Sequence, residues 1–330
     1  MDPRILHHYE RELRFVRELG AEFASRFPKI AGRLGITELA CQDPHVERLF
    51  QGFAFLASGV SRRLEGEFPR FTANLMESVY PAYLSPTPSM AVVQLTPSAQ
   101  AGSLSEAYTL ARGTSLQARS GGGSACEYRT AHAVDVWPIV LEHVEYTCVL
   151  HEIADLRVAS RQPIQALLRM RLRTSNGRPF NQLQLKRLPF FLAGGDERSA
   201  RLCEALIAHA ATVMMRWGPK PSQHAARSSS AQPVSPLGFE DDQALLTTGA
   251  ASFRGYRLLS EYFAFPNRFH FVELSGLDAG VTRCDRDQLD LIVPLTRHDP
   301  MLDGAIELER VQLYATPVIN LFPHACDRVS

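Results

Sequence analysis

The sequence predicts an α+β protein: an N-terminal long-helix segment, then a mainly antiparallel β-rich domain, then a mixed α/β third region. Three observations carry that expectation. Through the first 88 residues, apolar side chains recur every third or fourth position. From residue 89 onward, short strand-like runs follow one another with no helix between them. The chain has 330 residues, 45% hydrophobic and 21% charged, which is enough to fold more than one core and unlike the composition of a disordered chain.

The first helix is expected to begin near Arg4, with Asp2 as cap and Pro3 in the first turn, where a missing N–H breaks no bond. Leu6, Tyr9, Leu13, Val16, Leu19 and Phe23 form its apolar stripe, and Pro28 ends it. Asp43-Pro44 repeats the same start. Val46, Leu49, Phe50, Phe53, Leu56, Val60, Leu64 and Phe68 then recur at helical spacing as far as Pro69, a helix of roughly 36 Å. So large a stripe needs neighbours. Phe55 lies about 160° from its centre and marks a second contact surface, open to an intramolecular neighbour or a partner subunit. A shorter helix is expected over 71–80, and Pro86-Thr87-Pro88 closes this helical arm, residues 1–88.

Strands are expected at 91–95, 108–116 with a turn at Arg112-Gly113-Thr114, 127–130, 134–137, 139–150, 164–173 and 185–192. In 164–173, Leu168, Met170 and Leu172 alternate with Arg169, Arg171 and Arg173, the pattern of a half-buried strand. Gly194-Gly195-Asp196 caps a helix expected over 197–216, which closes the β-rich domain, residues 89–217. Residues 218–236 are poor in large apolar side chains and read as a flexible surface loop. The mixed region, 237–330, holds a helix near 257–262, strands near 269–274 and 289–295, and a short element at 311–314.

The composition bears on chemistry. Thirty-five basic residues balance 35 acidic ones, so no global field draws the chain to nucleic acid or anionic lipid. All but Lys29, Lys186 and Lys220 of the basic residues are arginine, the side chain suited to desolvated contacts. Residues 1–10 lack the apolar core of a secretory signal, no run of 18 apolar residues occurs, and a cytosolic protein is expected. Six scattered cysteines include no C-x-x-C pair and read as buried thiols. His151-Glu152-Ile153-Ala154-Asp155 has aspartate where a zinc protease places its second histidine, so a cytosolic metallohydrolase using His151 and Glu152 stands only as a weak alternative. His7-His8 and His324-x-Cys326 would need distant residues to complete a metal site. Gly121-Gly122-Gly123 lacks the Lys-Ser/Thr of a phosphate loop. Neither catalytic nor cofactor nor metal residues are expected, and the protein reads as a non-enzyme. The Arg169, Arg171, Arg173 face would bind DNA only in a salt-sensitive way.

Met1-Asp2-Pro3 to Leu13, Glu22 to Leu34, Asp43 to Leu56, Glu67 to Pro81, Pro86 to Met90, Phe253 to Pro266 and Thr316 to Phe322, in this order, together resemble the TssF (ImpG/VasA) baseplate proteins of bacterial type VI secretion systems. The resemblance implies structural work. Two TssF copies and one TssG would form a wedge around the VgrG spike hub, joined to TssK and TssE and supporting the sheath indirectly. The site would be the cytoplasmic, inner-membrane-docked baseplate, with no membrane insertion, nucleic acid or cofactor. Family members are longer, so the third region is expected to be incomplete. On this reading Tyr9, Leu13, Val16, Phe53 and Phe55 are the candidate partner-binding residues.

Overall fold

The computed structural model describes residues 3–36, 41–96, 107–118, 125–150, 158, 160, 162–218, 224–247 and 252–323. It is α+β, and it divides into two compact units, Met1–Ser85 and Pro86–Ser330.

The first unit is helical. Helices α1 (Pro3–Arg26), α2 (Pro28–Arg33) and α3 (Pro44–Val79) follow in order. Asp43 caps α3 as expected, its carboxylate accepting from the His45 N–H at 2.8 Å. The expected stop at Pro69 does not occur: α3 runs through the proline for 36 residues and absorbs the helix expected over 71–80. Proline removes one ladder bond, but its neighbours on α3 from Arg62 to Thr72 are exposed, so water can meet the freed carbonyl.

The second unit is built on antiparallel sheets. Its strands are β1 (Met90–Gln94), β2 (Tyr108–Leu110), β3 (Ser115–Ala118), β4 (Cys126–Thr130), β5 (Val134–Val136), β6 (Ile139–Thr147), β7 (Ala166–Thr174) and β8 (Arg187–Leu192). After α4 (Glu197–His209) come β9 (Met214–Arg216), β10 (Ala225–Arg227) and β11 (Val234–Leu237). Then follow α5 (Arg254–Ala264), β12 (Phe271–Ser275), α6 (Asp278–Val281), β13 (Gln288–Leu295), β14 (Val311–Leu313) and β15 (Ala315–Ile319). Three sheets run β10-β9-β13-β7-β6, β11-β12-β8-β14 and β1-β15-β4-β3, and β2 pairs with β5.

The main core joins the first two of these sheets and α4. Leu168, Met170 and Leu172 of β7, Leu289, Leu291 and Val293 of β13, Leu188 and Phe190 of β8, and Leu202 and Leu206 of α4 meet there. The alternation in β7 is realised. Its other face carries Arg169 and Arg171 to Asp290 of β13 at 2.9 and 2.8 Å, and Arg173 to Glu142 at 2.8 Å. Arg216 of β9 reaches Asp290 from the opposite side at 3.2 Å, so three arginines share one carboxylate on this face.

Two expectations fail here for the same reason. The helix expected over 197–216 ends at His209, and Met214–Arg216 becomes a strand beside β13. Within 218–236, expected as a flexible loop, Ala225–Arg227 pairs with β9, and Val234 begins the strand that pairs with β12. In both places sheet edges recruit segments whose own propensity is weak. The cysteines also differ from expectation: Cys203 and Cys284 are buried, Cys41 is half-buried, and Cys126 and Cys148 are exposed.

A charged cluster lies fully buried in this unit. Glu261 accepts from the Leu245 and Leu246 N–H groups at 3.1 and 2.9 Å, pairs with Arg268, and meets Arg257 at 3.3 Å. Arg257 also reaches Asp241 at 3.0 Å, and Arg268 donates to the Gly238 and Gln243 carbonyls. Burial, with the positive charge of Arg257 and Arg112, lowers Arg268 to about 10, so it stays charged at neutral pH. Glu261→Gln removes the carboxylate that buried Arg268 faces and one of the two that Arg257 faces, and should cost about 3–5 kcal/mol in urea unfolding.

His132 is buried edge-on against Phe271 at 5.4 Å, and its Nε2 has no hydrogen-bond partner. Burial, then the charges of Arg268 and Arg112, lowers its pKa from 6.5 to about 4. As pH falls below 6.5 the unfolded chain gains a proton that the folded ring refuses until about pH 4. Stability should fall across that window by about 3 kcal/mol at most, and urea unfolding of His132→Leu at pH 7 and pH 4.5 should show a smaller drop than the parent.

Candidate partner-binding surfaces

Small side chains decide how the first unit packs. Along α3, Ala54 and Ser58 are buried and Ser61 is half-buried, one helical turn apart on one face. That face meets α1. Ser61 donates to Glu12 at 2.8 Å, Arg11 reaches Glu65 at 2.8 Å, and Arg17 pairs with Glu47. Gly20 of α1 is buried, and a Cβ there would come within 3.6 Å of the Phe50 ring. These contacts make an antiparallel hairpin with Ala54 and Ser58 at the middle of its seam and ion pairs and Phe50 toward its ends.

The seam uses a face of α3 other than its most apolar one. Leu49, Phe53, Leu56, Val60, Leu64, Phe68, Phe71 and Leu75 are all exposed, Leu56 by 70% and Phe53 by 63%. At 100° per residue these eight fall on a single stripe about 39 Å long, roughly 110° around the helix from the seam. Of the stripe expected from sequence, only Val46 and Phe50 are half-buried. Phe55 is 52% exposed on the far side of α3. Tyr9, Leu13 and Val16 are half-buried on α1. The structure therefore separates the candidate residues: Phe53 and Phe55 are open, on different faces, and the three on α1 are partly covered.

A second apolar surface was not singled out in the sequence. On α5, Tyr256, Leu259 and Phe263 share the outward face, Phe263 being 81% exposed, while Arg257 and Glu261 point into the fold. Phe253, Tyr262 and Phe239 are exposed nearby in the chain. The available signal was the placement of Arg257 and Glu261 four apart on one face, opposite an aromatic stripe.

Ligand-type side chains converge once among the described residues. Cys148, His298 and Asp303 bring a thiol, an imidazole and a carboxylate within 4.8 Å of one another. His7-His8 does not gather such a set: His8 faces Glu65 at 3.5 Å. His151, Glu152, Gly121-Gly122-Gly123, His324 and Cys326 lie outside the described residues. No described helix is long and apolar enough to cross a membrane.

Known proteins give these surfaces a context. The family described as type VI secretion system, TssF matches residues 1–330. The type VI secretion system component TssF1 of Pseudomonas aeruginosa PAO1 is 44% identical over 331 residues, covering all of this chain and 53% of that protein. A chain in the cryo-electron microscopy structure of the type VI secretion system TssK-TssF-TssG baseplate subcomplex aligns with a TM-score of 0.64 at 29% identity. The alignment covers 86% of this chain and 51% of that one. This chain thus spans about half the length of the relatives it matches.

The seam can be probed directly. Ala54→Leu forces a large side chain between α1 and α3 and should destabilise the hairpin by about 1–3 kcal/mol, read as faster amide hydrogen exchange along α1. Leu56→Ala, on the open stripe, should leave that exchange unchanged.

Proposed function

The chain belongs to the TssF family, and on that premise we propose that it is a structural, non-enzymatic wedge subunit of a type VI secretion baseplate. Its partners on this reading are TssG, a second TssF copy and TssK, with TssE and the VgrG hub adjoining and the sheath resting on the assembly. Two copies would join one TssG, in the cytoplasm beside the inner membrane. The relative in the TssK-TssF-TssG subcomplex supports the choice of TssG and TssK.

The observation that carries the proposal is the open stripe on α3. Eight large apolar side chains, each 51–71% exposed along one row, make a larger contiguous patch than the few hundred Å² that a monomer usually exposes. A helix that leaves this area in water while using Ala54 and Ser58 for its internal contact is built to receive further helices. Burial of each large side chain would contribute on the order of 2 kcal/mol. The stripe, which includes Phe53, is the first interface; Phe55 is a second, on another side. Tyr9, Leu13 and Val16 border the hairpin and contribute through their exposed edges.

Co-expression of this chain with its cognate TssG, followed by affinity capture and mass measurement, tests the reading. The wild-type chain should co-purify as a defined complex. Leu56→Glu with Val60→Glu should reduce recovery at least tenfold, and Phe55→Glu should weaken the complex separately. Unchanged recovery in the first pair removes the α3 stripe as an interface, and unchanged recovery in Phe55→Glu removes that residue.

A further inference from the structure

We propose that Cys148, His298 and Asp303 form a zinc-binding site that ties the end of β6 to the turn after β13. The three residues reach one place because of sheet register. Thr147, the last residue of β6, pairs with Leu167 of β7, and Leu295, the last of β13, pairs with Ala166. β7 lies between β6 and β13, so the chains leaving these two strands emerge at the same end of the sheet, one on each side of the start of β7. Cys148 follows immediately on one, and His298 and Asp303 follow on the other.

The donor set matches a borderline-soft cation. A thiolate, an imidazole and a carboxylate are the ligand types of Zn²⁺, whereas Mg²⁺ and Ca²⁺ favour oxygen donors alone. In a tetrahedral zinc site such donors stand about 3.3–3.7 Å apart. Here they lie within 4.8 Å, and the imidazole Nε2 is 2.9 Å from an Asp303 oxygen. Rotations that move side-chain atoms by about one ångström complete the triangle. Cys148 and Asp303 are exposed and His298 is half-buried, so the ion has an approach from solvent and water can fill the fourth position.

The surrounding turn is held firmly. The His298 N–H donates to the Gln165 side chain at 3.3 Å, and the Asp299 N–H to the Tyr146 hydroxyl at 2.8 Å. Arg201 bridges to Asp299 at 3.1 Å, and Leu302 is fully buried. The Tyr146 ring stacks on His298 with 17° between planes. This support fixes the imidazole before any ion arrives. Binding displaces the Cys148 thiol proton and replaces the His298–Asp303 hydrogen bond with two bonds to the metal, leaving Nδ1 to carry the ring proton.

Titration of the metal-stripped full chain with ZnCl₂ by calorimetry tests this, with Co²⁺ as a spectroscopic probe. The expected result is one Zn²⁺ per chain, an affinity at least tenfold weaker in Cys148→Ser and in His298→Ala, and a thiolate-to-cobalt absorption band that Cys148→Ser abolishes. Apo thermal melting of Cys148→Ser should match the wild type, because that thiol is exposed, whereas His298→Ala also loses the Tyr146 stack; Asp303→Asn, which keeps the hydrogen bond to His298, provides a third variant with weakened binding and intact folding. Absence of stoichiometric uptake by the wild-type chain overturns the proposal. So does uptake that persists in the Cys148→Ser, His298→Ala double variant, since the ion would then sit elsewhere.

Discussion

The packing of α1 against one face of α3 is the constraint from which the first unit follows. Gly52, Gly59 and Gly66 line another side of α3 with nothing packed near them, whereas Ala54 and Ser58 make the buried face that meets α1. Once that face is committed to α1, geometry leaves the large apolar stripe pointing away. Hydrophobicity by itself would have turned Phe53, Leu56 and Val60 inward. Shape complementarity within the hairpin and apolar area for other chains are thus assigned to different sides of one helix, and neither use competes with the other.

The second unit repeats this division on a smaller scale. Helix α5 is anchored in its unit by the buried Arg257 and Glu261, and Tyr256, Leu259 and Phe263 remain exposed. A buried ion cluster is a weak source of net stability but a demanding one in geometry, because each charge must find its partners in a fixed arrangement. Glu261 satisfies two backbone N–H groups as well as two arginines. The helix is thereby located by direction-specific contacts, and its apolar side is held in place for other chains without being spent on the fold.

Much of the architecture was legible in the residues. The Asp43 and Asp196 caps, the turn at Gly113, and the alternation of Leu168, Met170 and Leu172 with arginine all appear where local chemistry puts them. Misreadings occurred where solvent or distant partners override local preference. Pro69 did not stop a helix bathed in water, Met214 to Arg216 took strand form because β13 lay beside them, and β15 escaped notice because Pro317 interrupts its pattern. The open face of α3 was visible as a stripe, but its exposure was not, since periodicity reports which residues share a face and not what covers it. Cys148, His298 and Asp303 had no common signal, being brought together by the register of β6, β7 and β13.

The pairing of β1 with β15 has a consequence for the order in which this chain can be assembled. Met90 faces Ile319 across that ladder, and β4 attaches to the sheet only through β15. On a ribosome adding about 5–20 residues per second, β1 and the β3-β4 hairpin are made first and wait for tens of seconds before their central strand emerges. During that interval their backbone edges stand open to any other nascent chain. This sheet therefore closes only after every other described strand has been made, and that is the step at which wrong pairing between growing copies must be avoided.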